Sequence, residues 1–337
     1  MPSSVMPTSS REGGRRSPAA ISVQGLRKSY GEKTVLDGID LHIPEGTVFA
    51  LLGPNGAGKT TTVEILATLV RADDGRASVG GHDLAADPAG VRSVIGVTGQ
   101  FAAVDELLTV QENLILMADL HHLGREEGRR RAAELLDRFE LTEAAAQPGT
   151  ALSGGMRRKA DLAMTLMGDP RVIFLDEPTT GLDPRSRRTM WEIIRRLVDD
   201  QGVTILLTTQ YLDEADELAD RIAVLDGGKL VAEGTAEELK RRIPGGHIRV
   251  RFAEPEQLAA AVQVFEVAEA DQESLTLHVP SDGSLPMLRS VIDLLDAASI
   301  EAAELSVHTP DLDDVFLALT GSSRRQADAT TQLENVR

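Results

Sequence analysis

Gly53-Pro54-Asn55-Gly56-Ala57-Gly58-Lys59-Thr60 follows the apolar run Thr47–Leu52 and opens Lys59–Leu69, whose apolar residues recur with helical spacing. A strand, a glycine-rich turn and a helix in that order predict a loop whose backbone N–H groups turn inward around phosphate oxygens. The glycines permit close approach and the helix N-terminus adds partial positive charge. Lys59 is placed to reach the β- and γ-phosphates, and Thr60 to offer its hydroxyl to Mg²⁺. With Gly53, Gly56 and Gly58, the intervening Pro54, Asn55 and Ala57 and the following Thr61 complete the candidate nucleotide contacts. A chance glycine turn would not require all eight residues in this setting.

Working outward, Val172-Ile173-Phe174-Leu175-Asp176-Glu177 is an apolar strand ending in two carboxylates, and parallel sheets place ligands at such strand ends. The two acids predict different roles: Asp176 holds Mg²⁺, and Glu177 polarises the water that attacks the γ-phosphate. Ile21–Gln24 alternates in character, and further short apolar runs at Val94–Val97, Ile205–Leu207 and Ile222–Leu225 lie between helical patterns. They predict an α/β P-loop domain over 21–242 with a mixed, mostly parallel sheet covered on both sides. From about 107 to 168 strand signals give way to a helical subdomain, opened by a capping box between Thr109 and Glu112.

After Arg242 the breakers Ile-Pro-Gly-Gly predict a linker. Residues 243–321 then read as a small α+β domain: strand His247–Phe252, helix Glu256–Phe265, strand Ser274–Val279, helix Leu285–Ala298, strand Ala302–Val307 and a last helix. That helix has Thr309 as N-cap, Pro310 at its first position, Leu312, Val315, Phe316 and Leu319 on one face, and Gly321 as its stop. Such an apolar stripe is expected to dock. Residues 1–20 and 322–337 read as disordered tails.

Composition narrows the function classes. A formal net charge of −18, from 53 acidic and 35 basic residues, repels a phosphate backbone, so no nucleic-acid partner is expected. Residues 246–321 alone carry 14 acidic side chains against 3 basic ones. The absence of cysteine excludes disulfides, zinc–thiolate sites and thiol catalysis. No stretch approaches the roughly 18–20 continuous apolar residues a membrane-spanning helix needs, so any membrane role calls for a partner chain.

Leu152-Ser153-Gly154-Gly155-Met156 opens a helix, with Ser153 lying 23 residues before Asp176. Taken alone this is also an ordinary N-capped helix start. Its order and spacing, with Gly181-Leu182-Asp183 following as a D-loop, resemble the signature region of ABC ATPases over about residues 21–240. The resemblance implies that Ser153 and Gly155 act on a partner subunit's nucleotide, so that ATP joins two copies as a homodimer. It also places Tyr30, on the loop after the first strand, where the family stacks an aromatic ring on adenine, although a lone tyrosine is more often core. Gln100, after Val97-Thr-Gly, falls in the family's Q-loop, which contacts Mg²⁺ and faces the membrane partner; the other reading is a solvated loop residue.

One position departs from the family pattern. Most ABC ATPases carry a histidine where this chain has Gln210, in Thr208-Thr209-Gln210-Tyr211-Leu212. Glutamine can still donate to a phosphate oxygen but carries no titratable charge, so slow turnover is a possible consequence. The same stretch, together with Gly96-Val-Thr-Gly-Gln-Phe-Ala, Leu152-Ser-Gly-Gly-Met-Arg-Arg-Lys and Leu312-Asp-Asp-Val-Phe-Leu, is similar to the daunorubicin/doxorubicin-resistance branch of antibiotic exporters. That resemblance implies an ATPase at the cytoplasmic face of the membrane, a polytopic ABC-2-type permease as partner, and hydrophobic drugs or antibiotics as cargo. Two other readings stay open at this stage: a soluble ABC ATPase acting on ribosomes or DNA, and a nucleotide-dependent regulatory module with negligible turnover.

Overall fold

The computed structural model describes residues 19–242, 246–265, 268–308 and 310–319. Its first elements are two long antiparallel strands, β1 (Ala19–Tyr30) and β2 (Lys33–Pro44). Ala19 pairs with Pro44 and Ala20 is buried, so the expected tail gives up its last two residues to a strand. The first strand also runs on well past Gln24. Gly25, at φ +60°, introduces an irregularity in the pairing that breaks the alternation and reads in sequence as a strand end. The tail expectations for 1–18 and 322–337 lie outside the described residues, as do the linker at 243–245, the Thr309 cap and the Gly321 stop.

Next come β3 (Val48–Leu52), α1 (Lys59–Leu66), β4 (Asp74–Val79), β5 (His82–Asp83), α2 (Pro88–Val94) and β6 (Ile95–Thr98). The helical segment holds α3 (Val110–Leu120), α4 (Arg125–Arg138) and α5 (Gly154–Thr165). It starts where the capping box predicted: Glu112 N–H donates to Thr109 Oγ1 at 3.2 Å, and Thr109 N–H donates to the Glu112 carboxylate at 2.8 Å. The chain then returns to the sheet through β7 (Val172–Asp176), α6 (Pro184–Gln201), β8 (Thr204–Thr209), α7 (Leu212–Leu218), β9 (Arg221–Asp226), β10 (Lys229–Gly234) and α8 (Ala236–Arg241).

Six strands form the central sheet in the order β10-β9-β3-β8-β7-β6, parallel except for β10 at one edge. A second, wholly antiparallel sheet, β2-β1-β4-β5, was not anticipated. Its strands mix charged and apolar residues and are broken by glycines, so period-two patterning is weak there. Strand β3 shows how one strand serves both layers. Phe49 and Leu51 enter the core shared with the antiparallel sheet and α1, whereas Val48, Ala50 and Leu52 enter the core shared with the helical segment.

The C-terminal elements are β11 (His247–Arg251), α9 (Pro255–Val264), β12 (Glu269–Asp271), β13 (Thr276–Pro280), α10 (Leu285–Ala297) and β14 (Glu304–His308), followed by a helix over 312–319. This βαββαβ order closes an antiparallel sheet β12-β13-β11-β14, the split βαβ arrangement, around an apolar core of its own. The short β12 was missed because three residues carry almost no periodicity. In the last helix Leu312 and Val315 are buried in the same cluster as the ATPase-side core, with Phe316 and Leu319 packed against it. The predicted stripe therefore docks within its own chain.

Candidate functional site

The glycine loop spans the gap between β3 and α1, at the C-terminal edge of the parallel strands. Two of its glycines admit no side chain. A Cβ on Gly53 would lie 2.3 Å from the Leu225 carbonyl oxygen, and one on Gly58, at φ +109°, would lie 2.6 Å from the Leu36 side chain. Gly56 is also left-handed, at φ +82°, and with Asn55 is exposed. The loop is thus a backbone cradle that side chains leave open, which fits a polyphosphate.

Lys59 is buried under this loop and donates to the Gly53 and Pro54 carbonyls at 2.8 and 3.2 Å. Its ammonium lies 3.6 Å from Glu177 Oε1. Burial holds Lys59 below the ordinary lysine value, while Glu177 and then Asp176 pull in the opposite direction. Thr60 Oγ1 lies 3.3 Å from Asp176 Oδ1, which also accepts from Thr208 Oγ1. Two of the three residues expected at Mg²⁺, Thr60 and Asp176, are therefore brought together from 116 positions apart, and a hydroxyl beside a carboxylate is a donor set suited to a hard divalent cation.

Glu177 stands one residue past β7 with φ +50°, a conformation seldom adopted by a side-chain-bearing residue. Its N–H donates to the Thr208 carbonyl at 3.1 Å and lies 3.2 Å from Thr208 Oγ1, so the adjacent strand fixes the turn. Thr180 Oγ1 donates to its carboxylate at 3.3 Å. The carboxylate is thereby turned away from the strand direction and toward Lys59.

The signature residues behave as a presented helix end. Ser153 caps α5 by accepting from Met156 N–H at 3.3 Å, and Ser153 and Gly154 are exposed. Leu152 is buried as the anchor behind them, and Met156 packs on the same core. Gly155 faces α6 so closely that a Cβ would meet Ser186 Oγ at 2.8 Å. In the D-loop, Gly181 takes φ +79°, Leu182 packs on the core, and Asp183 caps α6 through Arg185 and Ser186 N–H, each at 3.0 Å. The hydrogen bonds from Ser186 and Arg185 lower the Asp183 carboxyl from its usual range.

Tyr30 is the last residue of β1, paired with Lys33, and not a loop residue as expected. Its ring is half exposed, with the Lys28 ammonium 5.3 Å from the ring centroid, so it is not a core tyrosine. Gln100 is exposed, as a solvated residue would be, but its backbone carbonyl accepts from Arg158. Gln210 is half-buried directly after β8, between Thr209 and Tyr211.

Three buried charges were missed. Arg158 on α5 donates to the carbonyls of Gly99 (2.6 Å), Gln100 (2.5 Å) and Glu177 (3.3 Å). Asp161, one turn on, accepts from Ala103 N–H at 2.9 Å. Glu214 on α7 accepts from Thr179 Oγ1 at 2.8 Å and from Nε1 of Trp191, whose ring packs against the core, at 3.1 Å. Burial raises the carboxyls of Asp161 and Glu214 and lowers Arg158. Only Asp161, between Ala160 and Leu162, carried a signal open to sequence reading; Arg158, between Arg157 and Lys159, and Glu214, after Asp213, read as surface charges.

Residues 36–180 match the family described as ABC transporter. Among curated proteins, the chain is 49% identical over 312 residues to the daunorubicin resistance ATP-binding protein DrrA3 of Streptomyces coeruleorubidus, covering 92% of this chain and 98% of that one. It is 47% identical to the daunorubicin/doxorubicin resistance ATP-binding protein DrrA of Streptomyces peucetius, covering 90% and 92%. With the linearmycin resistance ATP-binding protein LnrL of Bacillus subtilis identity is 33%, covering 90% and 99%. Among solved structures, an ATP-binding subunit of an ABC transporter superposes with a TM-score of 0.60 at 30% identity, covering 66% of this chain and 92% of that one. A dimeric post-hydrolysis ATP-binding cassette bound to ADP and Pi gives 0.59 at 27%, covering 64% and 98%.

Proposed function

The chain belongs to the ABC transporter ATP-binding family, and we propose that it is the ATP-hydrolysing subunit of an exporter that moves drug-like or antibiotic compounds through a separate membrane subunit. The observation that carries this reading is the convergence of Lys59, Thr60, Asp176 and Glu177 beneath one side-chain-free loop. The relatives' names supply the cargo class, and the partner we infer is a polytopic permease of the ABC-2 type. Among the described residues no helix is long and apolar enough to cross a membrane, so the chain would join the cytoplasmic membrane face through that partner.

In this reading the loop's N–H groups and Lys59 hold the β- and γ-phosphates, and Lys59 exchanges its carbonyl partners for phosphate oxygens. Thr60 and Asp176, with Gln100 from the segment after β6, would hold magnesium, which would neutralise phosphate charge when bound. Glu177 orients and polarises the attacking water, while Gln210 donates to the γ-phosphate through its amide. Tyr30 offers its exposed ring to adenine. The exposed Ser153 end of α5 binds the γ-phosphate of a second copy, so ATP closes a homodimer and hydrolysis loosens it.

The test is to purify the chain expressed with its native membrane fraction and follow both phosphate release and what accompanies it. Magnesium-dependent phosphate release together with a co-purifying polytopic membrane protein is expected. Sedimentation with ribosomes and no membrane association would overturn the export assignment.

A further inference from the structure

The segment that follows β6 carries Gln100 but belongs to no helix or strand over residues 99–105. Backbone groups in such a segment still need partners where they are buried, and here α5 supplies them. Arg158, Asp161 and Thr165 are spaced by three and four residues, so they form one stripe along the helix. Thr165 meets the end of β6, and the other two reach different points of the segment after it. Thr165 Oγ1 lies 3.1 Å from Thr98 Oγ1, the Arg158 guanidinium takes the Gly99 and Gln100 carbonyls, and Asp161 takes the Ala103 N–H. The approach is close: a Cβ on Gly96 would stand 2.4 Å from the Thr165 methyl.

The guanidinium has a second reach. Its Nη2 also donates to the carbonyl of Glu177 at 3.3 Å, although Arg158 and Glu177 are on separate elements. Its carboxylate neighbour Asp161 lies 3.6 Å away, an ion pair longer than any of the three carbonyl contacts. A planar fork with five N–H donors can bridge several carbonyls at once, which an ammonium cannot. Gln100 and Phe101 are meanwhile exposed, the latter 88%, so at these two positions the segment is fastened by its backbone with the side chains outward, while Val104 anchors it in the core.

We propose that Arg158 and Asp161 are positioning residues that lock residues 97–103 and the Glu177 turn to the signature helix. Gln100, the water-polarising Glu177 and the Ser153 helix end then move as one body. Any displacement of α5, such as closure over a second copy's nucleotide, shifts Gln100 and the Glu177 carbonyl together. A misplacement of about 1 Å at such a site costs up to about a hundredfold in rate. This inference rests on the ATPase reading above.

The experiment uses the full chain as Arg158→Lys, Asp161→Asn, Gln100→Ala and the double variant Arg158→Lys/Gln100→Ala. It measures kcat and KM for ATP separately and, with no turnover needed, amide hydrogen exchange along the chain. Arg158→Lys is expected to lower kcat about tenfold or more with KM within about threefold, Asp161→Asn to fall between it and wild type, and the double variant to be no worse than the more severe single one. Exchange should rise over 97–104 and 177–180 while the rest of α5 keeps its protection. An Arg158→Lys kcat within about twofold of wild type, multiplicative losses in the double variant, or exchange rising along all of α5 would each overturn the proposal. Wild-type protein that releases no phosphate would instead sink the enzymatic reading, leaving the exchange comparison to decide the lock.

Discussion

The C-terminal edge of the central sheet and the C-terminal βαββαβ unit bury different kinds of group. Around the glycine loop, Lys59, Arg158, Asp161, Asp176, Glu177 and Glu214 are all buried, whereas the core of the C-terminal unit is wholly apolar and Thr276 is the one described polar residue buried within its span. Buried charges are costly unless paired, and in the first region every one of them is held by a carbonyl, hydroxyl, N–H or opposite charge. The contrast separates a region arranged for chemistry from one arranged for packing. Substitutions in the first should change rate or affinity at nearly constant fold stability, and those in the second should do the reverse.

The largest expected break comes from Glu177→Gln, which keeps the shape of the turn but removes the acid that polarises water. Phosphate release should fall by about 10²–10⁴-fold, the range for losing a general base, while ATP stays bound and a dimer accumulates in gel filtration. Unchanged release would mean that Glu177 is only a structural turn. Lys59→Ala ranks next. Removing a buried cation from a triphosphate site should weaken ATP binding by about 10²-fold or more in a fluorescence titration, with little loss of secondary structure.

On the packing side, Leu312→Ala empties a fully buried position where the last helix meets the ATPase-side core. A cost of about 2–5 kcal/mol in chemical denaturation is expected, with ATP affinity preserved. Loss of ATP binding without loss of stability would abolish the distinction drawn between the two regions. The smallest effect belongs to the capping box. Hydrogen bonds from Thr109 hold the Glu112 carboxyl below its usual range. A lowered folded value means stabilisation present above the unfolded carboxyl's pKa and lost as pH falls through the folded one. Glu112→Gln should therefore be slightly less stable than wild type at neutral pH, and the gap should close in acid. Thr109→Ala, which removes the cap itself, should cost about 1 kcal/mol at neutral pH.

The relation of sequence to structure divides along the same line. Gly53 to Thr61 was legible because its chemistry is local: turn, helix N-terminus and lysine are contiguous, and short-range sterics dictate the glycines. Asp176 and Glu177 were legible as the end of an apolar strand, and Ser153 as a helix cap. The antiparallel sheet escaped because Gly25 interrupts its first strand. Tyr30 was misplaced by one element because a two-residue hairpin turn and a loop look alike in a single sequence.

By itself the sequence determined the order of elements, the phosphate-binding turn, the acids at the strand end and the capped helices, since each is set by neighbours within a few residues. Only the tertiary structure decided that Thr60 meets Asp176, that Arg158 joins residue 99 to residue 177, and that the last helix returns to the ATPase-side core. Those contacts depend on strand order and on burial. Backbone carbonyls, which every residue possesses, leave no mark in a sequence to show which side chain will find them.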